Sequence, residues 1–360
     1  MKTMPQSLTI QARRPRRRTD GRLDRAAAVA ERWLGRRRFP RDYTTDLVIE
    51  SLLHLGGLAG WEKYRREAWA VWNERGHHPA DRIPFEHEPF TNLAFELCRD
   101  SGDQRFVAPF LAESRRCRDL TRRSPSGLIV HPPADAAGMI LIDAVQAYAA
   151  RMARAGWLSG EQTWFDDTIE QLVAVAESLV DPQTGLWRHG RHADGTINPF
   201  AWSRAQGWAL RGLAESLEYM PADHPGRTPL LIILRQSLDT LVDFQTGDGA
   251  WRLLVDDKHT PRETSGTAMI VRIMTRARRR HWITDDDRLE TARDRAVDWL
   301  ATVVSSDGVV GHGCPGTGVV DTRQNWRAMS LEQDEPHTVA AVIDALIETY
   351  LAHKETERDG

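Results

Sequence analysis

Asp181-Pro182-Gln183-Thr184-Gly185-Leu186-Trp187 decides how this chain is organised, because the same device occurs three more times. Ser124-Pro125-Ser126-Gly127-Leu128-Ile129, Thr246-Gly247-Asp248-Gly249-Ala250-Trp251 and Ser305-Ser306-Asp307-Gly308-Val309-Val310 each give a polar turn, a glycine and then an apolar pair. They recur at about sixty residues, the length of one helical hairpin with its loop. Between them apolar residues return at helical spacing, and no stretch alternates over a sustained run, so the chain reads as mostly helical. The spacing predicts helices over 23–37, 43–58, 61–75, 89–101, 104–120, 135–154, 161–180, 199–219, 226–245, 263–280, 287–304 and 336–353. Pro40, Pro79, Pro182, Pro221 and Pro225 fall between them, as residues that break or precede helices do.

An even set of about twelve helices, taken as six hairpins, can close into a ring whose inner helices pack together while short extended loops gather at one rim. The expected fold is therefore all-α, a six-hairpin toroid. An open superhelix of hairpins gives the same coarse pattern, but it spreads polar residues over a concave surface, whereas here the unusual ones cluster at the glycine loops and adjacent helix starts. No linker rich in Gly, Ser or Pro divides the chain, so residues 23–360 read as one catalytic domain. Residues 1–22, with Arg13, Arg14, Arg16, Arg17 and Arg18, read as a disordered basic tail rather than an anionic docking arm.

Composition narrows the function. Among 360 residues 28% are charged, yet the net charge is only −3, which gives no global basic field for nucleic acid or a membrane surface. No apolar stretch approaches a bilayer span. Cys98, Cys117 and Cys314 lie far apart with no CxxC pair, which argues against a disulfide framework and a cysteine zinc site and for a reducing compartment. The arginine run is followed by Asp20, Arg22 and Asp24 instead of an apolar segment, so it is no export signal, and a cytoplasmic location is expected. P-loop, dinucleotide and nucleophile-elbow motifs are absent. A small-molecule partner is what remains, and no cofactor is implied.

The chemistry concentrates in a few places. Trp202-Ser203-Arg204-Ala205-Gln206-Gly207-Trp208 sets two indoles, a guanidinium and an amide within two helical turns, a mixture suited to a polar, anionic ring such as a sugar acid. Arg204 suits a bidentate bond to a carboxylate, and Trp202 and Trp208 either stack on a sugar face or belong to the core. Asp143 lies in Ile140-Leu141-Ile142-Asp143-Ala144-Val145 with apolar residues around it; it is either a desolvated acid with a raised pKa or a capping and ion-paired residue. His131 and His189 follow glycine loops, where they can donate to a sugar ring. His189 and His192 lack the spacing of helical zinc motifs, so no metal is expected. Glu263-Thr264-Ser265-Gly266-Thr267-Ala268-Met269 reads as a helix start with small residues for close packing, and its hydroxyls are also candidates for the rim. Phe85-Glu86-His87-Glu88-Pro89-Phe90 offers a second acidic group, with Glu88 the candidate, although charge at a helix amino terminus is its ordinary explanation.

On these residues the chain resembles the unsaturated glucuronyl and rhamnogalacturonyl hydrolases of glycoside hydrolase families 88 and 105, from about Tyr43 to about Tyr350. Trp202 to Trp208 is similar to the W-x-R-G-[NQ]-x-W element, Leu141 to Val145 to the segment bearing the catalytic aspartate, and Glu263 to Met269 to the E-x-S-G-[ST]-A-M element. The resemblance implies an (α/α)6 barrel without metal. It also implies that Asp143 protonates C4 of a 4,5-unsaturated uronic acid and that water adds at C5, after which the hemiketal opens and releases the neighbouring sugar. His131, His189, Trp202, Arg204 and Trp208 would bind that sugar, and Tyr43 would line the pocket.

Two positions depart from the family pattern. The glycine after the arginine is Ala205, a methyl group where backbone was expected near substrate, and the second aspartate has no clean match, leaving Glu86, Glu88 or Asn92 in its neighbourhood. Alternatives on the same ring are a sugar epimerase, an ordinary glycosidase, and a carbohydrate-binding protein that lost catalysis. Leaving sugar and oligomeric state are not encoded legibly.

Overall fold

The computed structural model describes residues 21–36, 39–40, 42–74, 92–131, 138–284 and 286–359. Gly21 and Arg22 open the first helix, and the rest of the expected basic tail lies outside the described residues, as do Glu86 and Glu88.

Helices alternate between an outer and an inner set. The outer ones are α1 (Gly21–Leu34), α3 (Lys63–Glu74), α5 (Val107–Leu120), α7 (Thr163–Leu179), α9 (Arg227–Asp243) and α11 (Asp287–Val303). The inner ones are α2 (Tyr43–Gly56), α4 (Leu93–Ser101), α6 (Ile142–Ser159), α8 (Ser203–Tyr219), α10 (Thr264–Arg279) and α13 (Pro336–Asp359); α12 (Arg323–Ala328) interrupts the last connection. Burial explains the sorting. On α9 only Leu230, Leu234, Ser237, Leu238 and Leu241 are buried, a single stripe of an amphipathic helix. On α8 every residue from Ser203 to Leu217 is buried, as a helix enclosed on all sides must be. The ring closes because α13 packs against α10 on one side and against α1 and α2 on the other. This is an (α/α)6 barrel.

The repeated loops show how closure is enforced. In each, the first residue and the glycine make the same backbone bonds: Asp181 N–H to Leu186 and Gly185 N–H to Asp181, and equivalently for Ser124, Thr246 and Ser305. Gly127, Gly185, Gly249 and Gly308 are all left-handed, with φ of 83°, 73°, 96° and 82°. Each glycine faces the next outer helix in order: Glu170 of α7, Thr240 of α9, Arg295 of α11 and, for the last, Ala28 of α1. A Cβ on Gly308 would stand 2.1 Å from the Ala28 carbonyl oxygen. Gly308→Ala is therefore expected to cost at least about 2 kcal/mol, from left-handed strain plus overpacking, and to lower the Tm at the seam of the ring. An unchanged melting curve would remove this account of closure.

Elsewhere the expectations need adjustment. Helix α6 starts at Ile142 instead of 135, because Ile140–Leu141 (β1) pairs antiparallel with Gly190–Arg191 (β2), which pairs with Ile197–Asn198 (β3). Trp251–Arg252 (β4) pairs with Arg262–Glu263 (β5). Strands of two residues are too short to show any alternation in sequence. Among the described residues no helix is long and apolar enough to cross a membrane. Cys98, Cys117 and Cys314 are buried and free.

Beneath the rim, all six inner helices contribute to a buried ionic layer. Arg211 bonds Glu215 at 2.7 Å and Glu50 at 3.0 Å, and Arg154 meets Glu215 at 3.2 Å and Glu96 at 3.7 Å. Arg272 and His54 hold Asp344 at 3.0 and 2.9 Å. Charges this far from water are tolerable only when each finds its opposite.

Candidate active site

Asp143 is the second residue of α6, at the loop-bearing rim. The small sheet sets its neighbour: β1 ends just before α6, β2 begins just after His189, and the Ile142 N–H bonds the His189 carbonyl at 3.2 Å. His189 Nε2 consequently lies 3.7 Å from Asp143 Oδ2, with 2% and 18% of the two side chains exposed. Asp143 Oδ1 and His189 Nδ1 have no hydrogen-bond partner among the described residues. Oδ1 is itself buried, while the side chain as a whole keeps 18% of its surface and sits in the first turn of α6, at the positive helix end. Tyr43, the first residue of α2, meets His337 Nε2 through its hydroxyl at 2.8 Å and feels the charges of the site. Burial raises its pKa, Arg204 opposes that, and the charges of Asp143 and Glu335 add to it. His131 is half-buried beside the sheet, its N–H on the Met139 carbonyl at 2.7 Å.

The tryptophan-bounded segment has a different use from the expected one. Trp202 is 1% exposed, packed edge-on against His189 at 5.0 Å and tilted against Trp326 at 5.7 Å. Its core reading holds, and it forms the wall behind His189. Arg204 is also 1% exposed and lies 4.4 Å over the Trp202 ring. Its guanidinium donates to the carbonyls of Cys314 at 2.6 Å and Pro315 at 2.8 Å and faces Glu335 at 3.9 Å. Two of its donors thus fasten loop 314–315, while Nε is buried with no partner among the described residues. Trp208 is buried, between His337 and Arg211. Ala205 is fully buried in the core.

Two residues of these motifs turn out to be architectural hubs. The Gln206 amide bonds both the N–H and the carbonyl of Trp187, locking the glycine loop to α8. Glu263 is the amino-terminal cap of α10, and its carboxylate accepts from Ser203 Oγ, Ser265 N and Oγ, Gly266 N and Cys314 N. The helix-start reading of this element is right, and its hydroxyls are buried instead of lining the rim. Gly266 packs flat on Ser203, where a Cβ would come within 2.6 Å.

Of the three neighbours proposed for a second acid, only Asn92 is among the described residues. It precedes α4 and is 2% exposed, with its N–H on Glu50 Oε1 at 2.5 Å and its amide Nδ2 donating to Glu215 at 3.5 Å. The site needs a donor there. Asn92→Asp is expected to set a third carboxylate against Glu50 and Glu215, to cost about 1–3 kcal/mol and to lower the Tm, more at neutral pH than at pH 4. A Tm independent of pH relative to the parent chain would contradict that.

Sequence reasoning missed Glu335 and His337. Glu335 Oε2 caps α13 through the Thr338 N–H at 2.9 Å, and Glu335 Oε1 takes His337 Nδ1. Burial would raise the Glu335 pKa, but the His337 imidazole and Arg204 hold it at about 2. An acid followed by Pro336 at a helix start was the available signal. A groove of about 590 Å³ between α7 and α9, lined by Asp181, Ser237 and Thr240, lies outside the ring and includes none of the expected site residues.

The barrel thus presents a carboxyl, an imidazole and a phenol among indoles at one rim. The chain belongs to Glycosyl Hydrolase Family 88, whose sequence signature it matches over residues 91–352. It is 26% identical over 179 residues to the unsaturated rhamnogalacturonyl hydrolase YesR of Bacillus subtilis, a match that spans 49% of each chain. It therefore aligns with about half the length of that relative. It is 31% identical over 117 residues to the unsaturated 3S-rhamnoglycuronyl hydrolase of Formosa agariphila, covering 31% of this chain and 29% of that protein. Its fold is shared with a family 105 glycoside hydrolase of C. acetobutylicum (TM-score 0.80, 19% identity, covering 91% and 99% of the two chains). It is likewise shared with the unsaturated glucuronyl hydrolase of Bacillus sp. GL1 (TM-score 0.71, 15% identity, covering 91% and 95%).

Proposed function

We propose that the chain hydrolyses oligosaccharides carrying a terminal 4,5-unsaturated uronic acid, working in the cytoplasm downstream of a lyase-type cleavage that leaves such an end. The observation that carries this reading is Asp143: a carboxyl with one oxygen lacking a partner among the described residues, its side chain 18% exposed and backed by His189, at the mouth of a family 88 barrel. Asp143, as the acid, gives its proton to C4, and the electron pair of the double bond forms the new C–H bond. The cation left at C5 is stabilised by the ring oxygen. Water adds at C5 while its proton passes to the Asp143 carboxylate, which restores the acid. The hemiketal then opens and the neighbouring sugar leaves. One carboxyl serves both steps, so the two-carboxylate spacing of ordinary glycosidases is not required. The amino-terminal end of α6 favours the carboxylate formed between the steps.

In this reading Tyr43 and His131 contact the sugar, and His189 orients Asp143. Arg204, Trp202 and Trp208 build the wall and fasten the 314–315 loop. The test is a screen of lyase-generated disaccharides for loss of the ultraviolet absorbance of the conjugated double bond. Consumption of saturated glycosides with no absorbance change would reject the proposal.

A further inference from the structure

A chain of three polar side chains crosses the seam where the last inner helix meets the first. Asp334 is left-handed, with φ 52°, a costly conformation outside glycine. Its carboxylate pins the turn by accepting from Arg32 Nε at 2.6 Å and the Val310 N–H at 2.9 Å. The turn aims Glu335 inward. One Glu335 oxygen accepts the N–H and hydroxyl of Thr338, both at 2.9 Å, and the other accepts His337 Nδ1. On the far side of the imidazole, Nε2 meets the Tyr43 hydroxyl at 2.8 Å. Glu335 and His337 are each 4% exposed, so this arrangement exchanges little with water.

The direction of these bonds follows from the donors available. Glu335, held at about 2, is a carboxylate and can only accept. The proton of a neutral His337 must then sit on Nδ1, which leaves a lone pair on Nε2. Tyr43 has one proton, and it goes to that lone pair. The phenol oxygen is thereby left as an acceptor, at the first residue of α2 and close enough to Asp143 to feel its charge. We propose that Glu335 and His337 are positioning residues that fix the polarity of Tyr43, so that its phenol oxygen accepts a hydrogen bond from a hydroxyl of the bound sugar. The inference rests on the reading of the site as a sugar hydrolase.

Glu335→Gln tests it without deleting a bond. The amide oxygen still caps Thr338, but its NH2 now donates to Nδ1, so the imidazole takes the other tautomer and Nε2–H donates to Tyr43. The phenol proton turns into the site, where a donor meets a donor. Nitrogen-15 NMR of the histidine rings should show Nδ1–H for His337 in the parent chain and Nε2–H in Glu335→Gln. On the unsaturated disaccharide that the screen identifies, Glu335→Gln and Tyr43→Phe should each raise KM about tenfold with kcat nearly unchanged, the size of one lost hydrogen bond. The double variant should be no worse than Tyr43→Phe alone. A merely structural role would lower the Tm and kcat and leave KM in place. An Nε2–H or doubly protonated His337 in the parent chain, an unchanged KM in a well-folded Glu335→Gln, or additive losses in the double variant would each overturn the proposal. If no unsaturated uronide is consumed, the NMR spectrum still decides the polarity of Tyr43, and only the reading of the reaction fails.

Discussion

Asp143→Asn is expected to lower kcat on an unsaturated uronyl disaccharide by about a hundredfold to ten-thousandfold, the range for a removed general acid, with the Tm unchanged. Among the described residues the fold does not depend on this carboxyl: Oδ1 has no hydrogen-bond partner there, and Oδ2 meets His189 at 3.7 Å. An amide of the same shape leaves the first turn of α6 and its sheet pairing intact, yet it has no acidic proton for C4. Two buried acids near the rim are committed elsewhere. Glu263 and Glu335 are held by caps and by partners that need the carboxylate. Continuous absorbance assays on both proteins, with matched melting curves, decide the matter. Half or more of the parental rate in the Asn variant would remove Asp143 from the mechanism.

Glu215→Ala should have the largest effect on stability, a loss of about 3–5 kcal/mol, because it strands buried arginines. Glu215 meets Arg211 at 2.7 Å and Arg154 at 3.2 Å, with Arg272 at 4.0 Å. Burial would raise its pKa, but Arg211, Arg154 and Arg272 hold it at about 2. A depressed carboxyl contributes stability that is complete above the ordinary value of 4.5 and is lost as the pH falls toward about 2; Glu335 adds to the same limb. The alkaline limb has the opposite origin. Burial would lower the His54 pKa, but Asp344 and Glu96 raise it to about 9, so its contribution is complete below 6.5 and is lost as the pH climbs through about 9. Burial, with Glu215 and Glu96, raises Glu50 to about 7, which costs stability as the pH rises from 4.5. The Tm should therefore peak between about 4.5 and 6.5. Glu215→Ala should flatten the acid limb and, by giving Arg211 to Glu50 alone, soften the loss between 4.5 and 7. Differential scanning calorimetry from about pH 2 to about pH 9 reads both, and a Tm still rising above pH 7 would contradict the assignment.

The parts of the fold that were legible in sequence share one property: they are governed by local rules. The outer helices announce themselves because one stripe of apolar residues repeats at helical spacing, as in Leu230, Leu234, Leu238 and Leu241. The four turns were visible because a left-handed residue next to a neighbouring helix admits little besides glycine. The two-residue strands and α12 were not visible, since neither is long enough to leave a period.

At the site the division falls differently. Residue types such as Asp143, His189, Tyr43 and the element from Trp202 to Trp208 could be picked out as chemically unusual, but their roles depend on which other chain segments arrive beside them. Arg204 reads as a ligand for an external carboxylate; that the carbonyls of Cys314 and Pro315, over a hundred positions away, take two of its donors is visible only in the folded chain. Trp202 looked available for stacking until His189 and Trp326 closed over it.

What the sequence by itself determined is the repeat: turn, glycine, helix pair, and hence the number and order of elements, because propensity, capping and apolar spacing act within about a dozen residues. What only the tertiary structure decided is which polar atoms remain for chemistry. Hydrogen-bonding capacity at the rim is shared among helix ends brought together by closure of the ring, so a side chain's function is set by the partners left to it. Glu335, His337 and Tyr43, joined across the seam between the first and last inner helices, could be connected only once that ring was closed.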